Sequence, residues 1–379
     1  MEFPSQSGGD PMPQRSLDDP HAHRFGASSP LSLGVEEELL LVDDRLQLAA
    51  LAERVLEEVG PEIRASVSTE IFATQIELKT GICHDAAEAI GQLTELRAAV
   101  RATGVELLGA GLHPDDDAEK PALVEKPRYD VVQEDFASLL STPPCGLHVH
   151  VGMPDPETAI TVANALRHHL PLLQALTANS PFRQGADSGL ASARSAVVSS
   201  YPRFEMPRAF RDYEDFCRVA DQLIAAAGVD DYTYLWWDVR PHPRLGTVEV
   251  RAMDVQSGVR ANVAVAALVQ ALAAKEIDNP GETGLCREAL EESYYQASRH
   301  GLEARLMVDD EIAAPALEVA TRVLAEVRPY ARGLGGEDAL DEIERIVRDG
   351  NGADDQRRVH EVCGMDGLLA YLVEQTCPA

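Results

Sequence analysis

Four short apolar segments place acidic or imidazole side chains where a metal ion or a phosphate would use them. They are Glu36-x-Glu38, Glu70 with Glu77, His148-x-His150 and Glu249-x-Arg251. In a strand, residues i and i+2 share one face. Three of the segments therefore aim two polar heads at one side of a sheet, while apolar neighbours such as Val35, Leu147, Val149, Val248 and Val250 bury the other. A buried carboxylate costs several kcal/mol unless a cation or a donor meets it. A row of them on strands suits a face that holds divalent metal and a polyanion such as ATP.

Each segment alone has a plainer explanation. Glu36-Glu37-Glu38 fits an exposed edge strand with solvated charges. Glu70 and Glu77 are seven apart, so an unbroken strand would put them on opposite faces, and a shared site needs a bend or bulge. His148 and His150 can ligate one metal from one face, which keeps a zinc-dependent hydrolase in play as a rival, and Gly146 and Gly152 bracket them as marks of close approach. Glu249 and Arg251 can be an ordinary ion pair on a sheet. A non-catalytic nucleotide- or metal-binding relative is the third reading.

The elements that must position these residues follow from periodicity and punctuation. Leu31 to Val42, Glu70 to Lys79, Val105 to Ala110, Cys145 to Met153, Tyr234 to Arg240 and Thr247 to Met253 read as strands. Leu48 to Val59 reads as a helix stopped by Gly60-Pro61, and Asp85 with Glu88 opens another as a capping box. Asp155 and Pro156 are a cap and a first helical position, with Ile160, Ala163, Leu166, Leu170 and Leu173 on the core stripe and His168 and His169 solvated off it. Residues 181–210 form a long irregular stretch that carries Arg183, Ser192 and Arg194, candidates for phosphate or substrate-carboxylate contact. Ala261 to Ile277 is a buried helix, and the chain from about residue 283 onward is helical. Strands mixed with helices outside a regular βαβ alternation indicate an α+β fold built on an antiparallel sheet, helices on one face.

Composition narrows the function. Lys and Arg number 33 against 63 Asp and Glu, a formal charge of −30. That balance argues against nucleic-acid and anionic-membrane partners, which need basic surface. Six scattered Cys without C-x-x-C spacing fit a reduced, cytoplasmic setting. No stretch approaches the roughly 20 apolar residues that span a bilayer. No P-loop, G-x-S-x-G or H-E-x-x-H motif occurs. Residues 1–29, rich in Pro, Gly, Ser and charge, are expected to be a disordered arm ahead of a single domain over 30–379.

The segments Leu33-Gly34-Val35-Glu36-Glu37-Glu38, Gln75-Ile76-Glu77-Leu78-Lys79-Thr80, Cys145-Gly146-Leu147-His148-Val149-His150-Val151 and Gly246-Thr247-Val248-Glu249-Val250-Arg251 occur in an order that resembles the bacterial carboxylate–amine ligases of the glutamate–cysteine ligase type 2 family. Trp237-Asp238-Val239-Arg240-Pro241 and Gly352-Ala353-Asp354-Asp355-Gln356-Arg357 extend the resemblance. It implies a glutamine synthetase-like catalytic domain: an antiparallel β-sheet funnel with helices packed on the outer face. Its carboxylates would hold Mg²⁺ (or Mn²⁺) around ATP as co-substrate. Glu38, Glu70, Glu77, His148, Glu249 and, with a less defined role, His150 would be metal ligands. Glu36 would be a first-strand acid of the catalytic centre, and Arg251 would face the transferring phosphoryl group. The implied reaction is ATP-dependent amide formation through an acyl phosphate, with small-molecule partners (an amino-acid carboxylate, an amine, ATP) and a homodimeric assembly. One position departs: Ser293 stands where the family has Asn.

Overall fold

The computed structural model describes residues 22–116, 121–281 and 284–377. Its centre is a seven-stranded sheet in which β1 (Leu33–Val42) pairs on one side with β3 (Gln75–Lys79) and on the other with β5 (Gly146–Gly152) and, farther along, β4 (Glu106–Leu108). β2 (Val67–Thr69) extends the sheet beyond β3. β6 (Phe182–Arg183) and β7 (Ala186–Asp187) form a separate small hairpin. β8 (Val239–His242) and β9 (Thr247–Asp254) complete the far side of the main sheet beyond β5, and β10 (Arg305–Met307) pairs with β11 (Ala313–Pro315) elsewhere. Every pairing in the main sheet is antiparallel, as expected of the α+β class.

The two faces of the sheet differ because the strands alternate. Val35, Leu39, Ile76, Leu78, Leu147, Val149, Val151, Val248, Val250 and Ala252 are all buried on one face. In chain order the helices are α1 (Ala52–Glu58), α2 (Ala86–Arg101), α3 (Pro127–Phe136), α4 (Pro156–Leu166), α5 (Leu170–Thr177), α6 (Ala193–Val198), α7 (Tyr213–Ala227), α8 (Val259–Asp278), α9 (Arg287–His300), α10 (Ala316–Gly333), α11 (Leu340–Asp349) and α12 (Gly352–Thr376). α8 and the helices packed around it cover that apolar face, while α3 and α6 border the polar one. α8 packs against β1 and β5, with α2, α4, α10 and α11 around it. Its run from Asn262 to Ala274 is buried on all sides, which explains a helix with no polar stripe. Gln270 is tolerated there because its amide donates to the carbonyl of Leu31 at 2.7 Å, pinning the entry to β1.

Capping at Asp85 and Asp155 follows the sequence, and Ser192 adds a third cap. Asp85, Asp155 and Ser192 each accept a backbone N–H in the first turn of α2, α4 and α6. Several expectations need correction. Glu70 to Lys79 is not one strand: β2 reverses through residues 70–74 into β3, with Ser68 opposite Glu77. The helix expected from Leu48 begins only at Ala52, because Leu48 bridges Val42. The strand expected from Tyr234 begins at Val239, after a 3₁₀ turn capped by Asp231. The region after residue 283 is helical except for β10 and β11. The core stripe of residues 160–173 breaks at 167–169. There His169 Nε2 lies 3.3 Å from Glu276 Oε1, and burial lowers His168 to about 4, so neither histidine is freely solvated.

Residues 24–29, placed in the arm by composition, are tied to the sheet by main-chain bonds. Arg24 N donates to Pro243 O and Gly26 N to Met153 O, at 2.9 and 2.8 Å. Gly246, at φ +69°, is the turn residue against which Arg24 packs, and a side chain there would meet its carbonyl. Residues 1–21, His21 included, lie outside the described residues. Among the described residues no helix is long and apolar enough to cross a membrane.

Glu37 breaks the alternation. It faces the helical side, fully buried, and pairs with Arg97 of α2, whose Nε donates at 2.7 Å. Burial raises the Glu37 carboxyl and Arg97 opposes that. Arg97 also donates to the carbonyls of Ser257 and Thr376, at 2.5 and 2.7 Å, tying β1 to the start of α8 and the end of α12. Removing one partner leaves a buried charge uncompensated. Arg97→Ala should therefore cost about 3–5 kcal/mol of unfolding free energy, read from denaturant titration, and a cost below about 1 kcal/mol would contradict this role.

Candidate active site

The register of β1 assembles the polar face. Glu36 sits opposite Lys79 on β3 and His148 on β5, and Glu38 sits opposite Glu77. On the far side His150 faces Glu249, and Glu249 faces Arg240. These side chains line one cavity of about 530 Å³ together with Glu70, Arg251 and Arg194. Nine of the eleven residues singled out in the sequence thus meet in one place.

Glu70 joins them because it sits in the β2–β3 turn, not in a strand. The chain reversal resolves the odd spacing of seven: folding back at residues 70–74 brings Glu70 beside Glu77. Arg194 is placed by α6. Asp254, fully buried, accepts from Ser180 Oγ, Ser192 Oγ and Asn179 N at 2.7 to 2.9 Å and so fixes the start of that helix. The Arg194 guanidinium then lies over Gly146, where any Cβ would collide with it and come within 3.1 Å of His148 Nε2. Gly152 is needed for a different neighbour, the carbonyl of Ser29.

The other two candidates lie apart. Ser192 is the N-cap of α6 and its hydroxyl is spent on Asp254 and Ser195 N. Arg183 lies on the β6–β7 hairpin and does not line the cavity. Both sit on the same irregular stretch as Arg194, and composition cannot tell which side chains of such a stretch turn inward. Ser293, at the position that departs from the family, accepts from Met307 N at 3.0 Å, a structural contact.

Three trios bring ligand atoms within 4.8 Å of one another: Glu36–His150–Glu249, Glu36–Glu77–His148 and Glu38–Glu70–Glu77. Glu36 and Glu77 each belong to two trios, so the three form a chain of linked sites. His148 and His150 fall in different trios. His150 Nδ1 is occupied by Thr247 Oγ1 at 3.0 Å, while its Nε2 is buried with no hydrogen-bond partner. That nitrogen points between Glu36 Oε1 at 3.5 Å and Glu249 Oε1 at 3.9 Å. An orphaned imidazole nitrogen between two carboxylates is suited to a divalent cation.

The electrostatics agree. Burial raises Glu70 well above the carboxylate range, and Glu77 and Glu38 push it further. Burial and Glu36 raise Glu77 to about 7, against the pull of Lys79. Burial opposes the charge on Glu36, but His150 and His148 hold it well below its usual value. Glu249 likewise stays low against burial because Arg240 and Arg251 grip it, Arg240 Nε at 2.7 Å. Burial, aided by Arg251, lowers His148, and His150 is raised by Glu36 and Glu249 in spite of burial.

Sequence reading passed over Lys79, Lys126, Arg128 and Arg240, which also line the cavity. With Arg194 and Arg251 they set six cationic side chains around five glutamates, so the cavity is not uniformly negative. Arg240 and Lys79 were within reach, each being two residues from another site-facing position. Lys126 and Arg128 come from the start of α3, and no local pattern marks them.

The profile of the glutamate–cysteine ligase family 2 matches residues 32–374. The chain belongs to this family. A relative from Rubrobacter xylanophilus named "Putative glutamate--cysteine ligase 2-1" is 38% identical over 363 residues, covering 93% of this chain and 96% of its own. The glutamate–cysteine ligase of Halobacterium salinarum is 37% identical over 358 residues, covering 90% and 96%. Among solved structures, a glutamate–cysteine ligase from Francisella tularensis in complex with AMP superposes with a TM-score of 0.70 at 14% identity, over 93% of this chain and 90% of the other. At that identity the likeness is one of fold, and it agrees with the expected glutamine synthetase-like architecture.

Raised carboxyls give the site a signed pH dependence. Without a cation, Glu77 makes the fold bind more protons than the unfolded chain between pH 4.5 and about 7, so its contribution to stability is lost as pH rises through that window. A cation displaces those protons. Mn²⁺ should therefore raise the unfolding temperature more at about pH 8 than at about pH 5. Equal shifts at both pH values would contradict the assignment of Glu77 to a cation site.

Proposed function

We propose that the protein is an ATP-dependent carboxylate–amine ligase that forms an amide through an acyl phosphate. The observation that carries this reading is the linked set of trios around Glu36 and Glu77, with His150 Nε2 unpaired between Glu36 and Glu249. Glu38, Glu70, Glu77, His148, His150 and Glu249, with Glu36 shared between trios, would hold Mg²⁺ or Mn²⁺. When bound, such ions neutralise charge on the β- and γ-phosphates.

The chain's own residues do the rest. A carboxylate oxygen of the donor attacks the γ-phosphorus of ATP, the bond to the β–γ bridging oxygen breaks, and ADP leaves. Arg251 stands on the cavity face beside Glu249, largely buried, and stabilises the equatorial oxygens of the transferring group. Arg194, over Gly146, adds a second guanidinium fork for phosphate or carboxylate. The nitrogen of the amine then attacks the acyl carbon, a C–N bond forms, and phosphate departs with the C–O electrons. The printed names of the relatives support glutamate as the carboxylate and cysteine as the amine. Family membership and the division of His148 and His150 between separate trios do not support a zinc hydrolase centred on that pair.

The test is a mass-spectrometric assay of purified protein with Mg²⁺-ATP, glutamate and a panel of amines. ADP release should require both a carboxylate and an amine, and release indifferent to both would contradict the reading. Glu249→Gln and Arg251→Ala should each lower turnover by about 100-fold or more while the circular dichroism spectrum is retained. Near-normal turnover in either variant would remove that residue from the chemistry.

A further inference from the structure

A second cavity, of about 510 Å³, lies on the helical side of the sheet between α2, the start of α8, α11 and α12. It shares no lining residue with the cavity of the glutamates. Ile90, Val259, Ile346 and Leu372 give it an apolar wall, and its volume suits a small organic ligand. Three of its polar features lack a partner.

The first is the N-terminus of α8. Gly258 is the N-cap residue and no side chain caps the helix, since the Ser257 hydroxyl donates instead to the Gly109 carbonyl at 2.6 Å. The N–H groups of Ser257, Gly258, Val259 and Arg260 meet no acceptor among the described residues, and all four residues line the cavity. A Cβ at Gly258 would meet nothing within 4 Å, so the approach to this end is open. Free donors at the positive end of a long helix attract an anion. Water alone can serve such an end, so the side chains around it decide the matter.

The second feature is charge. Arg97 is matched by Glu37, Arg101 by Glu106 at 3.3 Å and Arg345 by Glu342 at 2.7 Å. Asp355, the other acid of the lining, pairs with Arg358. Arg260 makes no hydrogen bond and no ion pair among the described residues. The third is a buried acceptor. Gln356 is 1% exposed, its Nε2 donates to Asn179 O and Oδ1 at 2.9 and 2.8 Å, and its Oε1 has no partner. That orientation is fixed, because Asn179 Nδ2 donates to Val255 O at 2.8 Å and leaves Oδ1 to accept. Val255 stands two residues before Ser257, so the Gln356 amide lies beside the start of α8. A buried acceptor of this kind is costly until a donor reaches it.

We propose that this cavity binds a small anion, a carboxylate or a phosphate monoester, that carries an N–H or O–H donor beside the charged group. The anion accepts from the free N–H groups of α8 and pairs with Arg260, and its donor meets Gln356 Oε1. Because the site is separate from the glutamate cavity, it stands or falls independently of the ligase reading.

Calorimetric titration of the full chain with matched probes tests this. Lactate and alanine are set against propionate, and glycerol phosphate against propyl phosphate, so one arm reads carboxylates and the other phosphate monoesters. In at least one arm the donor-bearing probe should bind at one site, about fivefold or more tighter than its counterpart. Arg260→Glu should weaken that binding by about tenfold or more. So should Gly258→Asp, which places the chain's own carboxylate at a position whose φ of −83° and ψ of 134° suit an N-cap. This variant should unfold at no lower temperature than wild type, which separates lost binding from lost structure. Arg251→Ala, in the other cavity, should bind the probe as wild type does. Absence of binding in both arms overturns the proposal. So does binding that survives Gly258→Asp and Arg260→Glu, or that is lost in Arg251→Ala. Equal affinity for probes with and without the donor overturns the part assigned to Gln356.

Discussion

Glutamates set face to face across neighbouring strands are the constraint on which the rest of the structure depends. Glu38 and Glu77 are direct cross-strand partners, and Glu70 joins them through the β2–β3 turn. Like charges in that position oppose pairing. The fold offsets the repulsion locally: Gly146 N donates to Glu38 at 2.6 Å, Ser68 Oγ to Glu77 at 2.9 Å, and Lys79 pairs with Glu77. These contacts do not suffice, since burial and mutual repulsion leave Glu70 and Glu77 with raised affinities for protons. Burial and repulsion of this kind favour either protonation or a nearby cation.

The opposite face supplies the rigidity. β1 is two-sided: Glu36 and Glu38 look into the cavity, while Val35 and Leu39 pack toward the helical layer. Glu37 looks the same way as Val35 and is held by Arg97, which reaches the start of α8 and the end of α12. A shift of β1 by one residue would bury Glu36 and Glu38 under the helices and expose Leu39. Register, core and site are thus determined together. On the far edge Arg240 and Arg251 both grip Glu249.

Much of this was legible in the chain. Period-two alternation around Glu36, His148 and Glu249 gave the strands and their polar faces, and the Asp85 and Asp155 caps marked helix starts. Local pattern stops at pairing, however. Nothing in Thr69 to Gln75 announces that a turn, and not a bulge, reconciles Glu70 with Glu77. The division of His148 and His150 between two trios depends on which glutamate each meets across β1 and β9, a matter of register. Ser192 and Arg194 are two residues apart on one stretch, yet one caps a helix and the other reaches the cavity. That outcome depends on Asp254, about sixty residues along the chain.

The most direct measurement is anomalous diffraction from crystals grown with Mn²⁺ and a non-hydrolysable ATP analogue. The account predicts manganese peaks among Glu36, Glu38, Glu70, Glu77, His148, His150 and Glu249, with the analogue's terminal phosphates against them. Manganese or nucleotide bound elsewhere, with that cavity empty, would contradict it.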